Sequence, residues 1–273
     1  MTTRLDDESL PAPSLYGEHE LRPREGPSPA GAPRLVAELS AAASAAEREA
    51  LVRGMLRGIG FEWLAYGTVM QQADGSSLPR SFLTTYAHPA WMQRYFSERY
   101  HEIDPRHLQA PRSSLPLVWD LDDIAVHAAR REATGRARRF AEDFRDSGIR
   151  SGVFFHLASP QAPGERTVIS LLADTPGRSW IVDHVLGQAL TLGLCLHEFV
   201  SRHVRPPATP AGAVRAALSA LQQDILHCLS NGQSDKEIAH RLQLSSHAVD
   251  YHMRQLRRRF AVRNRVQLIN AAG

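Results

Sequence analysis

Lysine, cysteine and long apolar runs are scarce in this sequence, and each scarcity excludes a class of protein. Lys236 is the only lysine among 273 residues, and Cys195 and Cys228 are the only cysteines. Two thiols, each within an apolar helical pattern, favour core packing over a disulfide framework or a metal site. The longest uncharged apolar run, residues 185–196, is far shorter than the ~20 residues that cross a bilayer. We therefore expect a cytoplasmic protein with no membrane partner.

Sequence signatures of catalysis are also missing. Thirteen histidines and scattered serines could suggest a hydrolase, but the chain has no G-x-S-x-G nucleophile elbow, no H-E-x-x-H and no paired ligand spacing. We interpret His156, His184 and His197 as exposed or hydrogen-bonded structural residues. The sequence therefore predicts a protein that is not an enzyme and needs no cofactor.

Positive charge is concentrated near the C-terminus. Residues 206–273 hold nine Lys and Arg against four Asp and Glu, whereas the whole chain has a net charge of only +3. Basic clusters attract phosphate backbones by Coulomb attraction and counterion release. A solvated basic surface has the same composition, so charge alone does not assign a DNA-binding function.

The N-terminal part of the chain predicts an extension followed by an α+β domain. Residues 1–33 are rich in proline and lack apolar periodicity, which predicts a disordered extension. Residues 34–203 then alternate between helical and strand patterns. Helices are predicted at 35–59, 90–100, 130–146 and 180–203, and strands at 61–70, 81–86, 152–158 and 166–173. This order indicates an antiparallel sheet covered by helices, an α-β-α sandwich that is able to enclose a small ligand.

The C-terminal part predicts a second, all-α domain. Residues 204–212 have the Pro- and Ala-rich composition of a linker, and residues 213–273 are helical throughout. A first helix stops at Asn231-Gly232, and Ser234 with Glu237 forms a capping box for a short second helix. A third helix, 246–260, follows a tight turn. Three helices joined in this way form a helix-turn-helix.

One face of the third helix carries the candidate DNA contacts. The inward face holds Val249, Met253 and Leu256. The opposite face, which an inserted helix turns toward the major groove, presents Ser246, His247, Asp250, Tyr251, Arg254 and Arg258. Arg254 is the candidate for reading bases, and Arg257 and Arg258 suit phosphate oxygens because arginine forks match them. A small helical bundle for protein contact remains the alternative interpretation.

The DNA-binding segment resembles a known family. Within residues 226–265 it reads LSNGQSDKEIAHRLQLSSHAVDYHMRQLRRRFAVRNR, which is similar to the C-terminal domain of LuxR-type transcriptional regulators. It departs from the family pattern at Gln222, usually glutamate, and at Ala248, often threonine. The resemblance implies a homodimer that binds a pseudo-palindromic double-stranded DNA operator, with RNA polymerase as a further partner. The helices at 180–203 and 266–271 are the candidate dimer contacts.

The missing lysines narrow the kind of sensor that is attached to this domain. A phosphorylation receiver needs a late lysine that contacts the phosphate, and no lysine precedes Lys236. A P-loop ATPase module needs a Gly-Lys-Ser/Thr phosphate cradle, which the chain also lacks. A small-molecule sensor remains.

Residues 34–203 resemble the autoinducer-binding domain of acyl-homoserine-lactone receptors, the quorum-sensing branch of the LuxR family. The resemblance is carried by spaced motifs: HPAWMQRY, IDP, LPLVWD, SGIRSG and GERTVISL. These motifs place Trp91, Tyr95, Asp104, Trp119 and Ser170 at spacings that match the family. The alternative is an orphan LuxR-type regulator that responds to a different small molecule or to a partner protein.

The resemblance implies a role for each of these residues toward an N-acyl homoserine lactone. Trp91 would donate to the lactone carbonyl, Asp104 would accept the amide N–H, and Ser170 with Tyr86 would donate to the amide carbonyl. Tyr95 and Trp119 would wall the head group, and apolar side chains would receive the acyl tail. Tyr86 departs from the pattern, because the family tyrosine lies four residues before the tryptophan and Ala87 stands there in this chain.

Overall fold

The computed structural model describes residues 13–23, 31–71, 77–109, 115–131, 135–159, 164–205, 218–260 and 262–272. These residues belong to two compact units, Met1–Pro207 and Ala208–Gly273. The division between the units falls inside the segment that the sequence predicts to be a linker.

A six-stranded sheet forms the centre of the first unit. Its strand order is β1-β4-β3-β7-β6-β5. The strands are β1 (Ser14–Tyr16), β3 (Trp63–Gln71), β4 (Ser77–Leu83), β5 (Leu117–Asp120), β6 (Ser151–Ala158) and β7 (Glu165–Ala173). Every pair is antiparallel except β1 with β4, which are parallel. The two predicted hairpins, β3–β4 and β6–β7, therefore lie side by side through the pairing of β3 with β7.

Helices cover both faces of this sheet. One face packs on α1 (Arg34–Ala41), α2 (Ala45–Ile59) and α7 (Asp183–Glu198). The other face is covered by α3 (Pro89–Ser97), α4 (Pro105–Gln109), α5 (Leu121–Arg131) and α6 (Gly135–Asp146). The α-β-α sandwich predicted from the sequence is confirmed.

Side chains along β7 alternate between the two cores, as the pleat of a strand requires. Ile169, Leu171 and Ala173 lie in the core against α2 and α7. Val168 and Leu172 lie in the other core, against α3 and α6. A strand with both faces buried carries apolar residues on both sides, and residues 168–173 read VISLLA, apolar except for Ser170.

The predicted disorder of residues 1–33 is wrong for residues 13–23. Strand β1 adds to the edge of β4, and a short strand, β2 (Arg22–Pro23), pairs with β8 (Val204–Arg205). Tyr16 and Leu21 are buried in the core. The sequence pattern does not predict this order, because the segment has no hydrophobic period of its own. Two apolar side chains and the pairing at the sheet edge hold it in place. Residues 1–12 and 24–30 lie outside the described residues.

A buried carboxylate anchors this N-terminal segment. Glu18 is 2% exposed and forms a salt bridge with Arg48 of α2 at 2.9 Å. The Tyr86 hydroxyl donates to Glu18 at 2.5 Å, and the Glu18 backbone N–H donates to the Thr85 hydroxyl at 2.7 Å. A buried charge is tolerated only when it is paired and hydrogen-bonded, and here the segment meets that condition.

Other boundaries differ from the sequence prediction in smaller ways. The helix predicted at 180–203 begins at Asp183, and after Glu198 it continues as a π-helical turn, Phe199–His203. Strand β5 and helix α5 are not predicted at all. Val204 and Arg205 form β8, so the first unit extends two residues into the predicted linker.

The second unit contains four helices among its described residues: α8 (Ala220–Ser230), α9 (Asp235–Arg241), α10 (Ser246–Arg259) and α11 (Arg265–Ala272). Ser219 and Ser234 cap the first two in capping boxes, and Ser245 caps the third. Gly232, at a φ of 77°, provides the left-handed turn after α8. The predicted helix-turn-helix is present as α9 and α10. In the described parts of both units, every helix is too short or too polar to cross a bilayer.

Replacing Tyr86 by Phe should destabilise the first unit. The change removes a hydrogen bond to a buried carboxylate, which typically contributes about 1.5–3 kcal/mol. Urea unfolding of the first unit, followed by tryptophan fluorescence, measures this loss.

Tyr66→Phe is the matched control, because the Tyr66 hydroxyl bonds the neutral ring of His197 at 3.1 Å. Its cost should be about 0.5–1.5 kcal/mol. Equal costs for the two variants would contradict the anchoring role of Glu18.

Candidate functional site: a ligand cavity and an exposed helix

A partly open cavity lies between the sheet and helices α3 and α4. About 570 Å³ of atom-free space lies within it when open solvent at its mouth is included. The sheet contributes Ala65, Phe82, Phe154, Val168, Ser170 and Leu172. The other wall consists of Ala87, His88, Trp91, Met92, Tyr95, Phe96, Arg106 and His107. The lining is mainly apolar, with Ser170 as the polar group of the sheet and several polar side chains on the opposite wall.

Strand register places Ser170 at the centre of the cavity floor. Ser170 pairs with Ala65 on β3 and with Phe154 on β6, so the three side chains lie across adjacent strands on one face. The Ser170 hydroxyl is buried and has no hydrogen-bond partner among the described residues. A buried hydroxyl without a partner costs free energy, and a ligand oxygen at this point would recover it.

Helix α3 begins at the cavity rim and fixes Trp91. The His88 ring accepts the Trp91 backbone N–H at 3.1 Å, and Pro89 occupies the first turn. The Trp91 ring stacks on Phe144 of α6 with centroids 4.6 Å apart and an interplanar angle of 7°. Trp91 therefore lines the cavity in a single packed orientation.

Asp104 lies behind the cavity wall, with its carboxylate occupied by protein groups. It is fully buried and does not line the cavity. Arg106 donates to it from Nε at 3.0 and 3.1 Å, from Nη2 at 2.6 Å and from its backbone N–H at 3.0 Å. The Tyr95 hydroxyl donates to the same carboxylate at 2.8 Å. Burial alone would raise the pKa of Asp104, but the charge and hydrogen bonds of Arg106 lower this pKa to about 2.

His107 continues the hydrogen-bonded chain from Asp104 through Tyr95. Its Nε2 lies 3.1 Å from the Tyr95 hydroxyl. Because that hydroxyl donates to Asp104, His107 donates from Nε2. Burial lowers the pKa of His107 to about 4, with a further contribution from the Arg106 charge, so the ring is neutral at pH 7. His107 thus donates to Tyr95 and Tyr95 donates to Asp104, so the hydrogen-bonded chain ends at the negative charge of Asp104.

Trp119 lies one layer behind the cavity. The Arg106 guanidinium stacks over its ring, with Cζ 4.7 Å from the centroid. On the other side Trp119 packs on Gly152, where an added Cβ would lie 2.8 Å from the indole and 2.3 Å from the Leu171 carbonyl oxygen. Gly152 is therefore required for Trp119 to approach the sheet this closely. Trp119 contacts Arg106 rather than the cavity itself.

Tyr86 is not part of the cavity, and its predicted hydrogen bond to the ligand is wrong. It lies in the core on the opposite face of the sheet, and its hydroxyl is bonded to Glu18. Its neighbour Ala87 occupies the cavity wall instead. Successive residues after β4 point in different directions, so the one-residue displacement of this tyrosine places it on the other face.

Arg106 and His107 are cavity residues that the sequence interpretation did not identify. Arg106 stands two residues after Asp104, a spacing at which an aspartate carboxylate often accepts a backbone N–H. That local signal was available. The position of the guanidinium between Asp104 and Trp119 depends on tertiary packing, which the local sequence does not show.

The outer face of α10 is exposed as predicted. Ser246, His247, Asp250, Tyr251, Arg254 and Arg258 are exposed, and Arg257 is half-buried. Arg254 forms a salt bridge with Asp250 at 3.1 Å, and Gln255 donates to the Tyr251 hydroxyl at 2.7 Å. Val249, Met253 and Leu256 are buried beneath this face. The helix thus presents polar and basic side chains on a fixed apolar base.

Comparison with known proteins assigns the two units to two matching family models. The model described as "Autoinducer binding domain" matches residues 44–200, more than half of the chain. The model described as "Bacterial regulatory proteins, luxR family" matches residues 216–272.

Individual relatives agree with these matches. The chain is 27% identical over 205 residues to the transcriptional activator protein RaiR of Rhizobium etli, covering 73% of this chain and 78% of RaiR. It is 24% identical over 217 residues to the HTH-type quorum-sensing regulator RhlR of Pseudomonas aeruginosa, covering 79% of this chain and 83% of RhlR. The crystal structure of SdiA of Escherichia coli matches with a TM-score of 0.54 and 20% identity, over 88% of this chain and 94% of SdiA. At this level of identity, the similarity to SdiA shows a shared fold and nothing more.

Replacing Asp104 by Asn should destabilise the first unit in a pH-dependent way. Removing one partner of a buried ion pair costs on the order of 3–5 kcal/mol. The pKa of Asp104 is lower in the folded state than its usual 3.8, so its contribution is complete above that value and is lost as the pH falls toward 2. The gap between wild-type and variant urea midpoints should therefore be large at pH 7 and shrink in this acid range.

Asp123→Asn provides the control, because Asp123 pairs with Arg178 near the surface, where both side chains are at least 41% exposed. This variant should lose less than about 1 kcal/mol. A pH-independent gap for Asp104→Asn would refute the assignment of Asp104 as a buried carboxylate.

Proposed function

Because the chain belongs to the LuxR family of autoinducer-binding, DNA-binding transcriptional regulators, we propose that its cavity binds an N-acyl homoserine lactone that controls binding to an operator. Autoinducers and DNA are thus its two partners, and its family consists of regulators rather than enzymes. The observation that carries the lactone assignment is the cavity itself, which combines an apolar floor with a buried, unpartnered hydroxyl at Ser170.

The polar groups of the cavity suit the acceptors of such a ligand. Ser170 donates to the amide carbonyl, and the Trp91 indole donates to the lactone carbonyl. Phe82, Phe154 and Val168 supply apolar surface for the acyl chain. An apolar lining with few oriented donors favours a ligand with a small polar head and an alkyl tail.

Tyr95, Asp104 and Trp119 act together at the head-group end. Asp104 accepts the ligand amide N–H once its contact with the Tyr95 hydroxyl rearranges to admit it, and it keeps its ion pair with Arg106. Trp119 supports this end from behind Arg106. These three residues keep the roles that the family resemblance implies, and Trp119 acts through Arg106, which lies in front of it.

The outer face of α10 is proposed to enter the major groove of a pseudo-palindromic operator. Arg254 reads bases, and Ser246, His247, Asp250 and Tyr251 lie beside it on the same exposed face. Arg257 and Arg258 contact phosphates. Asp250 holds Arg254 by a salt bridge and so limits its rotamers before DNA is bound.

A pseudo-palindromic operator requires two copies of this chain, so we propose a cytoplasmic homodimer that engages RNA polymerase at the promoter. Exposed apolar side chains on the two helices proposed as dimer contacts support this assembly: Leu194 on α7 is 45% exposed and Val266 on α11 is 65% exposed. In a homodimer these side chains would be covered by the partner subunit.

Lactone binding should raise the melting temperature of the purified protein, and Ser170→Ala should weaken it. The experiment measures thermal melting and dissociation constants over N-acyl homoserine lactones of increasing chain length. Because the Ser170 hydroxyl is buried without a partner among the described residues, Ser170→Ala should leave the stability of the ligand-free protein unchanged or raise it slightly. It should weaken lactone binding about tenfold or more.

Ser151→Ala is the matched control, because Ser151 is also a buried serine and lies on the neighbouring strand β6. Its hydroxyl donates to the Thr175 carbonyl at 2.6 Å and accepts from the Trp180 indole at 3.1 Å. It should lower stability and leave the lactone dissociation constant unchanged. A folded, DNA-binding protein whose melting temperature responds to no lactone would overturn the lactone assignment and favour an orphan regulator.

Operator binding tests the roles on α10. Sequences selected from a random DNA library supply the operator, and binding is measured at several salt concentrations. Arg254→Ala should cost about 1–3 kcal/mol and relax sequence preference at one base pair of each half-site. Arg258→Ala should weaken binding to all sequences equally and reduce the salt slope by about one. A salt-slope change without loss of preference in Arg254→Ala would reassign Arg254 to phosphate.

A further inference from the structure

A buried cation forms part of the cavity wall. Arg106 is 5% exposed, and its side chain lines the cavity. Its guanidinium lies over two aromatic rings, with Cζ 4.7 Å from the Trp119 centroid and 5.0 Å from the Phe144 centroid. Arginine is almost never buried without a compensating partner, so this position requires one.

Asp104 compensates the guanidinium on the side away from the cavity. The hydrogen bonds to Asp104 come from the backbone N–H, Nε and Nη2 of Arg106. Arginine carries five side-chain N–H groups, so the two N–H groups on Nη1 take no part in the hydrogen bonds to Asp104. The member of the pair that lines the cavity is therefore the cation.

A lactone that fills the cavity removes water from this side of Arg106. If an alkyl segment then lies against the guanidinium, the cation loses hydration and gains no acceptor. If an oxygen lies there, a charge-assisted hydrogen bond replaces the water. A site built around a buried donor discriminates against the analogue that lacks the acceptor.

The lactone and amide carbonyls already have donors in Trp91 and Ser170 under the proposed function, on which this step rests. We propose that Arg106 is a specificity-determining residue that reads a third ligand oxygen, at the 3-position of the acyl chain. The preferred ligand class is then the 3-oxo-acyl homoserine lactones. Their keto oxygen lies two carbons from the amide carbonyl and accepts a hydrogen bond without needing to donate one.

The test compares matched pairs of lactones on the full-length protein. N-octanoyl homoserine lactone is measured against N-(3-oxooctanoyl) homoserine lactone by isothermal titration calorimetry, and other chain lengths are paired in the same way. The wild-type protein should bind the 3-oxo member at least about tenfold more tightly. In Arg106→Met the two members should bind equally, and Arg106→Lys should retain part of the preference, because it keeps a charge but not the planar fork.

Arg106→Met leaves Asp104 buried without its cation, so a second variant guards against misfolding. The double variant Asp104→Asn/Arg106→Met removes both charges of the pair, which is better tolerated than removing one. It should also bind both lactones of a pair equally. Because each result is a ratio measured on one protein, a general loss of affinity does not affect it.

Arg94→Gln is the control for a neighbouring arginine. Arg94 pairs with the buried Asp143 at 2.7 Å but does not line the cavity, so this variant should keep the wild-type ratio. Equal binding of both members by the wild-type protein would refute the role of Arg106 and leave the lactone assignment intact. Tighter binding of the ring-opened acyl homoserine carboxylate than of the 3-oxo lactone would also refute it, since Arg106 would then read the head group. Binding of no lactone at all would instead overturn the proposed function.

Discussion

Both faces of the central sheet are buried, and the alternation of side chains along its strands decides which residues reach the ligand. On β7, Ser170 faces the cavity between Val168 and Leu172, while Ile169 and Leu171 belong to the other core. A shift of register by one residue would exchange these sets and bury the hydroxyl among α2 and α7. Pairing of β7 with strands on both sides opposes such a shift. The polar centre of the cavity therefore depends on backbone hydrogen bonds.

Electrostatics in the cavity wall follow from the same layering. Asp104 and Arg106 lie on α4 and the turn before it, pressed between the sheet and the aromatic cluster of Trp91, Trp119 and Phe144. In this apolar setting each charge is stable only through the other. Tyr95 and His107 extend the pair with neutral donors, so the charge stays localised. Any polar ligand that enters must fit an arrangement that is already hydrogen-bonded.

Much of this architecture could be predicted from the sequence, because most elements have a period of their own. The two hairpins, the sandwich and the helix-turn-helix each follow from alternation, helical spacing or capping residues such as Ser234 and Glu237. Trp91, Tyr95 and Ser170 reach the cavity as their motifs imply. Tyr86 does not, since a displacement of one residue at the end of β4 reverses the face. Arg106 and the residues around Glu18 depend on contacts between distant segments, which local patterns do not contain.

The N-terminal segment has a practical consequence through its pairing partners. Strand β1 covers the edge of β4, and β2 pairs with β8, the last described strand before the second unit. A shortened chain that starts at Arg34 would leave the β4 edge unpaired, and unpaired edges promote association between sheets. Aggregation of such a fragment would then reflect a missing strand rather than an unstable receptor.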